Sequence, residues 1–143
     1  MSSYRNHPNY LTALRNKEYF NTLLTAPQEY QKWEWITTII FYSALHYVKA
    51  SLFVVFNYPD NKINDHLKIK IALSEQRKQK NISRKLHDHY NFLYDVSRIA
   101  RYEYFSSFKE WDAERYISQV QDDYVRYFEN IENEIMALLE RKP

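Results

Sequence analysis

A chain of 143 residues with a net charge of +2 suits one domain burying roughly two thirds of its unfolded surface, and its bulk electrostatics does not announce a nucleic-acid binder. It contains no Gly and only four Pro, which withholds the residues of tight hairpins and left-handed turns and predicts an all-α fold. Cys is absent as well, which excludes disulfides, thiolate metal sites and Cys nucleophiles.

The opening residues Met-Ser-Ser-Tyr-Arg-Asn-His-Pro hold no apolar run of the kind a secretory signal needs, so a cytoplasmic protein is expected. Leu11, Leu14, Phe20 and Leu24 then predict an N-terminal helix over residues 10–24. Thr25-Ala-Pro-Gln28 has the form of a capping box opening the next helix, with Thr25 as cap and Pro27 in the first turn. That helix runs to about Phe56 and is apolar on nearly every side, although it carries His46 and Lys49. Such a helix is either enclosed by neighbours or spans a membrane. The uncharged run from Trp35 to Val48 is 14 residues, short of the roughly 18 a span requires, so it is expected at the centre of a bundle with no membrane partner.

Asn57-Tyr-Pro-Asp-Asn61 is the strongest turn signal in the chain. A shorter helix over 65–79 follows, and Lys80-Asn-Ile-Ser83 separates it from another over 83–105. Ser107-Phe-Lys-Glu110 is a second capping box. It opens a last helix in which Ala113, Ile117, Val120, Tyr124, Tyr127, Ile131 and Leu138 recur at steps of three and four, with gaps. Roughly 30 helical residues extend about 45 Å, longer than a small globule needs, and imply a partner. The expectation is a single up-and-down bundle of four to five helices, without repeats or linkers.

Charge is unevenly distributed along these helices. Residues 66–89 carry Lys68, Lys70, Arg77, Lys78, Lys80, Arg84 and Lys85 against Glu75 and Asp88, whereas residues 103–135 carry nine acids against three bases. Both runs suit solvated helix faces. Nucleotide loops, HExxH zinc motifs and EF-hands are missing. Asp122 and Asp123 lack the neighbouring Glu-x-x-His of a di-iron site, and no strained turn displays a nucleophilic Ser. No cofactor or metal is expected.

What remains is Arg84-Lys-Leu-His-Asp-His89, an Arg followed after four residues by His, at a helix start. Here the chain resembles the small stand-alone HEPN proteins of prokaryotes, whose nuclease members carry an Arg-x4-6-His motif. The resemblance extends to Phe41-Tyr-Ser-Ala-Leu-His46, to Tyr90-x-x-Leu93 and to Ser97-Arg-Ile-Ala-Arg-Tyr102, and spans residues 10–140 in order and helix count. It implies a helical homodimer acting as a metal-independent endoribonuclease, a toxin or defence effector with a cognate antitoxin or defence-system protein as partner. In such an enzyme the 2′-hydroxyl attacks the adjacent phosphate and leaves a 2′,3′-cyclic end. His89 would be the general acid or base and Arg84 would stabilise charge on the phosphoryl oxygens, with both motifs meeting across the two-fold axis. Lys78, Lys80, Lys85 and His87 would hold the RNA backbone, and Arg98 and Arg101 would bind phosphate through their forked donors.

Each of these residues also has a plainer reading. In a straight helix His89 lies about 140° from Arg84, on the apolar side near Leu86, Leu93 and Val96, where it suits a core histidine. Arg98 and Arg101 suit pairs with acids of the last helix. His46 suits a buried structural histidine, or a pocket with Tyr42 that takes a small aromatic ligand. The alternative to a nuclease is a non-catalytic HEPN scaffold binding a partner protein, a nucleotide or a small ligand.

Overall fold

The computed structural model describes residues 4–27, 33–102 and 120–141, with the side chains of Arg101, Tyr102 and Gln121 excepted. Among them the fold is an all-α helical bundle with no strand. Its helices are α1 (Pro8–Thr25), α2 (Trp33–Val54), α3 (His66–Lys78), α4 (Arg84–Tyr102) and α5 (Val125–Arg141), the last entered through a π-helical turn at Val120–Tyr124.

The first helix starts earlier than its apolar spacing predicts, because Pro8 sits in its first turn, where its fixed φ is favourable and its missing N–H costs nothing. His7 caps it, its Nδ1 accepting the Asn9 amide at 3.2 Å. The inward face is Tyr10, Ala13 and Phe20, whereas Leu11 is 44% exposed. Thr25 closes α1 as its last residue, its hydroxyl donating back to the carbonyls of Asn21 and Thr22, so it is not the cap of the following helix. Gln28, the other half of the expected box, lies outside the described residues.

The second helix is central. Its buried residues point in every direction, from Ile36, Ile40 and Phe41 to Ser43, Tyr47, Val48 and Leu52, and it packs on α1, α4 and α5. By length and composition α2 is able to cross a membrane, and 67% of its most apolar window is buried within the bundle. Its contact with α1 is close because both surfaces are small there: Ala13, Ser43 and Ala44 are fully buried and the Ser43 hydroxyl donates to the Ala13 carbonyl at 2.7 Å. Aromatic rings extend this seam to α5, Tyr10 against Tyr47, Tyr47 against Phe128, and Phe128 against Phe20 at 5.1 Å and 85°. Much of the chain's aromatic surplus is thus core packing.

Two turns manage without glycine. Asn57 takes φ 61° after α2 and Lys80 takes φ 64° after α3. At Lys80 the ending is a Schellman motif, with Lys80 N–H on the Arg77 carbonyl and Asn81 N–H on the Gln76 carbonyl, each at 2.9 Å. The next helix is capped by Ser83, whose Oγ accepts the Leu86 amide at 3.0 Å. Ser83 also donates its backbone N–H to Glu134 on α5 at 2.8 Å, which fixes the start of α4 against the last helix. Leu86, Tyr90, Leu93, Ser97 and Ala100 form the buried stripe of α4.

On α5 the inward residues are Phe128, Ile131, Ile135, Leu138 and Leu139, while Tyr127 is only half-buried. The π-helical turn inserts an extra residue before α5; of the positions expected from the apolar spacing, Val120, Tyr124, Ile131 and Leu138 are buried, while after the turn Phe128 takes the inward place expected of Tyr127. The second capping box, Ser107 to Glu110, and the start of the last helix lie outside the described residues.

Candidate functional site

The basic surface forms where the end of α3 meets the start of α4. The Schellman turn brings Arg77 back against the first turns of α4, its Nη1 lying 3.4 Å from His87 Nδ1. Lys78, Lys80, Arg84 and Lys85 are exposed around this contact. Arg84 is 79% exposed along its side chain, and its Nε lies 3.6 Å from Asp88 one turn on. A pair this open contributes little to stability, so the guanidinium is available to an incoming anion.

Within that surface His87 is a held, neutral imidazole. Burial lowers its pKa first, and the Arg77 charge lowers it further against the opposing pull of Asp88. A guanidinium only donates, so Nδ1 accepts in the contact with Arg77, and Asp88 Oδ1 lies 3.7 Å from the same nitrogen. Nε2 lies 3.5 Å from the Asn91 amide nitrogen, while Asn91 Oδ1 is buried with no hydrogen-bond partner among the described residues.

His89 belongs to a different surface. Its ring stacks on Tyr127 of α5 at 4.3 Å and 25°, and Phe92 meets the same Tyr127 edge-on at 5.1 Å. Its Nδ1 is buried and finds no hydrogen bond among the described residues. Burial, with help from Lys85 against Asp88, holds its pKa below the ordinary histidine value. Among the described residues no contact joins His89 to Arg84 of the same chain, and the two share no partner ring. The guanidinium is engaged with Asp88 while the imidazole faces the bundle.

The remaining candidates are spread along the molecule. Arg98 is exposed and makes no ion pair among the described residues. Arg101 lies on the last turn of α4, with its side chain outside the described set. His46 does not join Tyr42 in a pocket. Its Nδ1 lies 2.8 Å from Asn9 Oδ1 on α1, and burial, then Lys49, lowers its pKa to about 4. It is a neutral donor tying α2 to α1. Tyr42 does line a half-open cavity of about 230 Å³, but with Lys49, Asn64, Asp65, His66 and Tyr94.

His66 was no candidate in the sequence, yet it organises that cavity. As the first residue of α3 it follows the Asp65 cap and its ring lies face to face with Tyr94 at 3.4 Å and 9°. Its Nδ1 is 3.2 Å from the hydroxyl of Tyr90, a phenol kept protonated by complete burial. The available signal was the Tyr90 and Tyr94 pair one turn apart, which implies an aromatic partner opposite. Among the described residues no group of three or more His, Cys, Asp or Glu side chains is arranged to hold a metal. Comparison of the chain with protein-family models, with curated proteins and with solved structures finds no match.

Proposed function

We propose that the protein is a HEPN-like scaffold that binds RNA through its basic surface without cutting it. The observation that supports this reading is the division of the Arg-x4-His motif between two surfaces. Arg84 stays in solvent with Asp88, while His89 stacks on Tyr127 with a buried, unbonded Nδ1. A general acid or base must reach the proton it moves, and here the ring packs on Tyr127 with no contact to Arg84 among the described residues. Arg77, Lys78, Lys80, Arg84 and Lys85 supply the phosphate contacts, which set affinity more than sequence preference.

A nuclease built as a homodimer is the second reading. It is favoured by the 79% exposure of Arg84, which leaves the guanidinium free to meet a second protomer's motif. The two readings part in one experiment. Fluorescence anisotropy with single-stranded RNA in excess EDTA is expected to show saturable binding, with the RNA intact on a denaturing gel. Combined Lys78→Glu, Lys80→Glu and Lys85→Glu substitution makes the salt dependence of log K shallower by about 2. RNA cut by the parent protein and spared by both Arg84→Ala and His89→Ala would instead establish the nuclease.

A further inference from the structure

The cavity at the opposite end of α3 from the basic turn is built from different chemistry. One wall is aromatic: Tyr42 and Phe41 from α2, and the stacked pair of His66 and Tyr94. Phe41 lies 5.6 Å from both Tyr90 and Tyr94, so this wall is supported from behind and keeps its shape without a ligand. At about 230 Å³ the space is smaller than the roughly 300–1,000 Å³ of drug-sized sites and suits one or two fused rings.

The charge in the cavity comes from Lys49, one turn beyond Leu45 on α2. Its side chain is half-buried, and it makes neither an ion pair nor a hydrogen bond among the described residues. Other lysines in comparable positions are engaged: Lys17 pairs with Glu132 at 2.8 Å, and Lys68 reaches Asn61, Asn64 and Asp65. The one carboxylate on the cavity wall, Asp65, is spent as the cap of α3, accepting the Lys68 amide at 2.8 Å. The ammonium also lowers the pKa of His46, three residues earlier on α2, and of His7, in each case after burial.

We propose that this cavity binds a small planar aromatic carboxylate, its ring seated among Tyr42, His66 and Tyr94 and its carboxylate on the ammonium of Lys49. A monoanion fits better than a phosphate, because a single ammonium with no Arg fork on the cavity wall is a poor match for a dianion. This site is separate from the RNA-binding surface, and neither reading depends on the other.

The test is a titration with indole-3-acetate, followed by calorimetry and by NMR of the aromatic and lysine side chains. Saturable binding is expected, with the Tyr94, His66 and Lys49 resonances moving. Indole-3-acetamide, equal in shape and uncharged, is expected to bind at least tenfold more weakly, as is phenyl phosphate. Lys49→Met and Lys49→Gln keep the aliphatic stem and lose the charge, so each is expected to cost about tenfold in affinity with the melting temperature unchanged. The proposal is overturned by any of four results: no saturable binding of the acid, equal binding of acid and amide, affinity unaffected in both Lys49 variants, or preference for the phosphate.

Discussion

Lys80 is where the chain pays most openly for having no glycine. A left-handed conformation costs a residue with a Cβ about 1–2 kcal/mol, and Lys80 holds φ 64° at the C′ position where glycine is the usual choice. The same turn sets Arg77 against His87 and holds the exposed Lys80 on the basic surface. Lys80→Gly is therefore expected to stabilise the fold by about 1 kcal/mol, part of the strain relief being returned as unfolded-chain entropy. On a chain of this size that is roughly 3 °C in the melting temperature by calorimetry. The variant is also expected to bind RNA more weakly. A variant that melts lower would show that the Lys80 side chain supplies contacts outweighing the strain.

At the scale of elements, the sequence disclosed the number and order of helices far better than their rotation. Apolar spacing located α1 and its buried Phe20, with Leu14 and Leu24 packed at the edge of the core, but it also marked the exposed Leu11 and passed over Ala13 and Tyr10, which carry weak apolar signals. What decides that face is a complementary surface on another helix, Ser43 and Ala44, which no local pattern contains. On the last helix the spacing marked Val120, Tyr124, Ile131 and Leu138, all buried, and missed Ile135 and Phe128, the latter because the π-helical turn brings it inward in place of Tyr127. The turn at Asn57 was legible because turns are local chemistry. The aromatic cavity was half legible: Tyr42 could be named, whereas Lys49, Asp65 and His66 come together only through the packing of α3 and α4 on α2. The rotation of α1 is open to direct measurement. Ala13→Leu forces three extra carbon atoms into a seam without room and is expected to cost about 2–3 kcal/mol in urea unfolding. Leu11→Ala is expected to stay within about 0.5 kcal/mol. The opposite ranking would mean that the apolar spacing had placed the helix correctly.

Across the whole molecule the histidines act together on stability, although they sit on separate surfaces. His7, His46, His87 and His89 all have a folded-state pKa below the ordinary value of 6.5, and in each the first cause is burial. The neutral ring is what the fold accommodates. Above pH 6.5 these residues are neutral both folded and unfolded, and their contribution is fully present. As the pH falls below 6.5 the unfolded chain takes up protons that the folded chain still refuses, so stability rises with pH through this window and is lost on acidification. For His46 the window extends down to about pH 4, set first by its burial and then by Lys49. The expected result is a melting temperature that is flat from pH 8 to 7 and falls progressively from pH 6.5 to 4.5. His46→Gln keeps a donor for Asn9 while removing the titrating ring, and is expected to make that fall shallower. An acid limb of unchanged steepness in His46→Gln would place the proton uptake on other groups and remove His46 from the account.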